Sequence, residues 1–184
     1  VNKADSARVT QQQQTGFEPA TTTAQLVEVQ NDVMTITFSN KGAQPVKVLL
    51  KKFKKADGSP VILQQGSFNK FSYTFNSTLN KTSQTDDVFF ATQPLVTNSD
   101  KTQTLTFSSK DSSGKQLLHQ YTIRPAEYMI DLNISITGAS QLFTQNMVNI
   151  LWQAETEQIE KDHAYELTQT HITYNENGNF DFEY

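Results

Sequence analysis

The stretch YMIDLNISIT, residues 128–137, alternates with a strict period of two. Ile130, Leu132, Ile134 and Ile136 fall on one side of an extended chain, and Asp131, Asn133, Ser135 and Thr137 on the other. Successive side chains of a strand leave opposite faces, so this segment predicts a strand with one dry face and one wet face. Outward from it the same period recurs. In VMTITF (33–38), Met34, Ile36 and Phe38 oppose Thr35 and Thr37; in FSYTF (71–75), Phe71, Tyr73 and Phe75 oppose Ser72 and Thr74. QTLTF (103–107), LLHQYTI (117–123) and VNILWQA (148–154) follow the same rule. Turn signals separate the runs: Asn40-Lys41-Gly42, Asp57-Gly58-Ser59-Pro60, residues 111–114 and residues 175–178. Many half-buried strands at short spacing predict an all-β, mainly antiparallel chain folded as two packed sheets. One segment departs from the period. AETEQIEKDHAYELTQ (154–169) holds good helix formers, no Gly or Pro, and Ile159, His163 and Leu167 four apart, which predicts one short helix near residues 156–168.

The 184 residues suit one domain, or one domain and a tail. A globular unit of that size buries roughly 70% of its unfolded surface, enough for a core without covalent staples. The chain has no cysteine, which removes disulfides, thiolate metal sites and cysteine nucleophiles. Its apolar runs are far shorter than the ~20 residues of a spanning helix. A net charge of −4, with Arg8 and Arg124 the only arginines, argues against nucleic acid. Residues 1–24 lack apolar periodicity and include the run Gln11 to Gln14, so they read as a flexible linker ahead of a domain at 25–184. The start lacks both an initiator methionine and a signal-peptide pattern, and is expected to follow a removed N-terminal portion.

Chemistry is harder to find. His163 and His171 lie eight apart with Glu160 and Glu166 nearby, but the two-histidine zinc signature on a helix is absent. His119 alternates with Leu117, Tyr121 and Ile123, the pattern of a hydrogen-bonded, partly buried imidazole. There is no nucleophile elbow, phosphate loop or dinucleotide fingerprint. Trp152, in register with Ile150 and Val148, is expected in the core, with a sugar-stacking platform as the alternative. No catalytic residue, cofactor or metal is assigned.

The remaining feature is PVKVLLKKFKK, residues 45–55. Val46, Val48 and Leu50 share one face; Lys47, Leu49, Lys51 and Phe53 share the other. Lysines on an apolar strand discourage pairing by foreign chains and shield apolar neighbours with their stems. The functional alternative is a contact patch, Lys51, Lys52, Phe53, Lys54 and Lys55, facing anionic lipid headgroups or an acidic partner.

These residues also carry a resemblance. Residues 27–63, VEVQNDVMTITFSNKGAQPVKVLLKKFKKADGSPVIL, resemble the opening of the periplasmic domain of the YidC family of bacterial inner-membrane protein insertases. Tyr121 to Arg124 followed by Tyr128 to Leu132 resembles the family's paired central strands, and Leu151-Trp152 with the following acidic segment resembles one branch of it. The closing residues His171 to Tyr174 and Phe180 to Phe182 also fit. The resemblance implies a β-supersandwich similar to galactose-mutarotase-like domains. It implies an origin in a chain with one transmembrane helix before the domain and five after it, placing the domain on the periplasmic face of the inner membrane. Insertion in the family resides in those helices, so the implied role is a non-catalytic, monomeric scaffold. Its implied partners are auxiliary subunits of the Sec translocon, client membrane proteins, or lipid headgroups. The alternative is a carbohydrate-binding or mutarotase-like sandwich using His119, His171 and a carboxylate such as Glu127.

Overall fold

A computed structural model describes residues 15–183. Four strands, β1 (Leu26–Gln30), β2 (Met34–Ser39), β3 (Gln44–Lys54) and β4 (Pro60–Gln65), form an antiparallel meander in sequence order. Next come β5 (Lys70–Thr78) and β6 (Lys81–Gln84), paired with each other. A second sheet follows from β7 (Ala91–Thr92), β8 (Val96–Thr97), β9 (Gln103–Lys110), β10 (Gln116–Ile123) and β11 (Ile130–Thr137). Its order is β11-β10-β9-β7, with β8 also on β9. The strand β12 (Ile150–Gln153) returns to pair with β5, and β13 (Ile172–Glu176) with β14 (Asn179–Glu183) makes a separate hairpin. Every pairing among these strands is antiparallel.

The alternation read from the sequence places the core. Met34, Ile36 and Phe38 are buried from β2, as are Leu117, His119, Tyr121 and Ile123 from β10. Phe38 joins the layers: its ring lies 4.7 Å from that of Tyr121 and 6.2 Å from that of Phe107 on β9. The isoleucines and Leu132 of β11 pack half-buried against this cluster. The molecule is thus an all-β sandwich.

Asparagines hold the sheets together where strands turn. The side-chain Oδ1 of Asn31 accepts from the amides of Val33 and Met34 at 3.0 and 2.9 Å, shaping the β1–β2 turn. Its amide nitrogen donates to the carbonyls of Arg124 and Glu127 at 2.7 and 2.8 Å, beyond the end of β10. One side chain therefore ties the two layers together. In the next turn Gly42 has φ +79°, and a Cβ there would stand 2.7 Å from the Gln44 side chain and 3.1 Å from the Asp86 backbone. Only glycine fits that approach.

The linker reading covered residues 1–24; residues 1–14 lie outside the described residues, and Thr15, Phe17 and Pro19 are buried. Phe17 is buried edge-to-face on Phe75 at 5.3 Å, and the amides of Glu18 and Ala20 donate to the carbonyls of Lys110 and Phe89. The helix expected over 156–168 spans only His163–Thr168, begun by Asp162, whose carboxylate accepts from the Tyr165 amide. Residues ahead of it are held out of the helix by distant partners: the Glu155 amide by Asn69, Glu157 by Lys55, and the Ile159 carbonyl by the Ala56 amide. Those bonds outweigh helix propensity, which is worth only tenths of a kcal/mol per residue. Trp152, expected in the core, is 74% exposed, because β12 is the outermost strand of its sheet and no layer among the described residues covers it.

Candidate docking site

The lysine-rich end of β3 is an arm that leaves the sandwich. Val48 and Leu50 are still buried; Lys51 through Lys54 are all exposed. The change follows from a break in pairing. Leu50 faces Val61 of β4, but the next pair is Lys54 with Pro60, so the intervening residues lack partners on that side. Such an irregularity resets which way side chains point. Phe53 consequently reaches toward the second sheet, its ring 5.9 Å from that of Tyr128, just ahead of β11.

The arm is fixed at both ends. At its root the Lys51 amide donates to the Val33 carbonyl, and the Lys51 ammonium donates to the Asn31 carbonyl at 2.6 Å and to Gln30 at 3.1 Å. At its tip the Lys55 amide donates to Ser59, and the Asp57 carboxylate closes the turn by accepting from the Ser59 hydroxyl and amide. Those hydrogen bonds hold the Asp57 carboxyl below its ordinary range. Lys55 pairs with Glu157, and that bond raises the ammonium above its usual value.

The five candidate residues therefore divide. Lys51 and Lys55 are engaged as fasteners. Lys52 and Lys54 make no side-chain hydrogen bond or ion pair among the described residues, and Phe53 is 51% exposed. Beside them stand two residues the sequence reading did not select, Tyr128 and Met129, at 43% and 69% exposure. Their hydropathy was visible, but their nearness to Phe53 depends on how the two sheets stack. A second outward surface lies on β12, where Ile150, Leu151 and Trp152 are exposed on the open edge of the β12-β5-β6 sheet.

The histidines do not gather. His119 is fully buried: its Nδ1 lies 3.1 Å from the Ala43 carbonyl and its Nε2 3.0 Å from the Tyr73 hydroxyl. A carbonyl only accepts, so Nδ1 carries the proton and Nε2 accepts from Tyr73. The Tyr121 hydroxyl donates to the same carbonyl at 2.7 Å. Burial drives the His119 pKa down to about 4, keeping the ring neutral. His171 and Glu127 are exposed, and Glu127 lies 3.6 Å from Arg124, which also pairs with Asp131. The set weighed for mutarotation thus does not form one site. Among the described residues no group of three or more histidine or carboxylate side chains is placed to hold a metal, and no helix is long and apolar enough to cross a membrane.

The described residues thus form an all-β sandwich with apolar and basic side chains exposed on its outside. The profile of the YidC periplasmic domain matches residues 26–183, and the chain belongs to that family. It is 31% identical over 155 residues to the membrane protein insertase YidC of Phocaeicola vulgatus, covering 83% of this chain and 24% of that protein. It is 30% identical over 177 residues to the protein of the same name from Bacteroides fragilis, covering 95% of this chain and 27% of that one. The chain spans about a quarter of the length of these curated relatives. No solved structure matches it.

Proposed function

We propose that this domain is a non-catalytic docking platform of a membrane protein insertase, acting on the periplasmic side of the bacterial inner membrane. It assists insertion and folding of membrane proteins by holding an auxiliary subunit of the Sec translocon, or a client, near the insertase. The observation that supports the reading best is the family match across residues 26–183, since the relatives are named as insertases. The exposed strand β12 is the surface best suited to the contact. Edge strands are ordinarily guarded by charge, proline or a covering element. This one offers Ile150, Leu151 and Trp152 with none of those devices among the described residues, the form in which an extended segment adds to a sheet.

The test is photocrosslinking in membranes, with the full-length insertase carrying a crosslinker at Trp152 and, as control, at the exposed Lys81 on the opposite edge of the same sheet. The expected result is crosslinks from position 152 to a translocon subunit or to a nascent client. Equal yields from positions 152 and 81 would overturn docking at β12.

A further inference from the structure

We infer that the end of β3, with Tyr128 and Met129, is a tip that rests on an anionic lipid surface and sets the orientation of the domain above the membrane. This rests on the reading of the domain as part of a membrane insertase. Three observations carry it.

The first is charge. The chain is acidic overall, with a formal net charge of −4, yet its tip is positive. Glu157 pairs with Lys55, Arg124 stands against both Glu127 and Asp131, and Asp57 keeps its charge while bonded to Ser59, so Lys51, Lys52, Lys54, Lys55 and Arg124 outnumber these four carboxylates by one. Asp32 lines one shallow cleft with Lys51 and Lys101, which outnumber it. Lys52 and Lys54 remain unpaired among the described residues.

The second is what lies between the charges. Phe53, Tyr128 and Met129 are exposed together, the two rings in contact. Aromatic residues with a polar end favour the headgroup level of a bilayer, and lysine stems extend along it with the ammonium in water. Exposed lysines flank the exposed Phe53 on both sides along the strand, a spread of charge and apolar surface that suits a broad surface better than a peptide. The cations flanking Phe53 are lysines, which act as point charges and not as the planar forks that select individual carboxylates.

The third is preorganisation. The hydrogen bonds at Lys51, Lys55 and Ala56 fix the arm before it meets any surface, so little freedom remains to be lost on binding. Two lysines and three apolar side chains are too few to recruit a free domain strongly. They are enough to orient one that a tether keeps near the surface, where effective concentration is high.

The chain has no cysteine, so a single label is straightforward to place. Met129→Cys carries an environment-sensitive fluorophore, and the chain is attached through an N-terminal histidine tag to vesicles bearing a nickel-chelating lipid. One set is phosphatidylcholine alone; the other replaces about one third of it with phosphatidylglycerol, whose charge lysines sense within roughly a Debye length, ~8 Å. The expected result is a blue-shifted emission, quenched by a lipid-borne quencher, on the anionic vesicles only. Each lysine near such a surface is worth about fivefold in affinity. The double variant K52Q/K54Q should therefore weaken the contact on the order of 25-fold while its circular dichroism stays unchanged. A label at Ser113, in the β9–β10 turn, should stay in water throughout. The inference is overturned if the label at 129 remains aqueous on anionic vesicles, if the double variant behaves as the parent, or if the tip binds soluble polyglutamate but not lipid. None of these outcomes bears on crosslinking at β12, and loss of that crosslinking leaves the vesicle result intact.

Discussion

From Leu26 to Phe143 the chain buries an apolar side chain on every strand of its first sheet and on β9 and β10 of the second; from Met147 to Glu183 none of the described residues is buried. Hydropathy does not explain the difference. The later region still carries Ile150, Trp152, Leu167, Ile172 and Phe180, all exposed. What differs is the number of layers. In the first region Phe38 meets Tyr121 and Phe107 from an opposing sheet. In the second, β12 closes the edge of a small sheet, and β13 and β14 pair only with each other among the described strands. Alternation shows that a strand has an apolar face; whether that face has found a partner depends on the strand's place in the fold.

The comparison breaks most sharply at Phe38. Phe38→Ala removes the ring that joins the sheets and should cost about 4 kcal/mol, the size expected for deleting a buried aromatic. Urea unfolding would show it as a lowered midpoint with unchanged slope. A loss under about 1 kcal/mol would mean that the two sheets do not share one core.

The buried polar network gives the next effect, through pH. Unfolded, the His119 ring takes its proton near 6.5; folded, burial holds it at about 4. A depressed folded value means the neutral ring contributes its full stability above pH 6.5, and that contribution is lost as pH falls from 6.5 toward 4. The whole swing is about 3 kcal/mol. His119→Gln offers a donor for Ala43 and an acceptor for Tyr73 without titrating. Its urea midpoint should stay level across that window while the parent's falls. Parallel curves would show that His119 already carries its charge in the fold.

A smaller loss, about 2 kcal/mol, is expected for Asn31→Ala. It unpairs two amides and two carbonyls at a site near enough to the surface for water to replace part of what is lost. Calorimetry checks it directly. An unchanged melting temperature would show that the link from the β1–β2 turn to the segment after β10 is dispensable.

Much of this was legible in the sequence. Period-two runs at 33–38, 103–107, 117–123 and 128–137 became strands, and the four turn signals became the turns after β2, β3, β9 and β13. The misses share one cause: a local pattern settled by distant residues. Phe17 stands alone in a polar segment and has no period to betray it, yet Phe75 gives it a seat. Residues 154–162 look helical until Asn69, Lys55 and Ala56 hold them in an irregular path. In the lysine arm the sequence offers five candidates alike, while Asn31 and Glu157 separate the fasteners from the free cations.

Trp152 tests the comparison from its other side, with the smallest change in stability. It is the only tryptophan, so intrinsic indole fluorescence reports on β12 alone. Trp152→Ala should alter stability by less than about 0.5 kcal/mol, as for an exposed position with no covering layer. In the parent chain the indole should emit as it does in water and be readily quenched by iodide. Its emission should shift little through the cooperative unfolding seen by circular dichroism, because its surroundings are already wet. A blue-shifted, protected indole that reddens with global unfolding would place a cover over β12 and erase the contrast between the two regions. If the same protection appeared only as protein concentration rose, the cover would be a second copy of the chain pairing along the open edge.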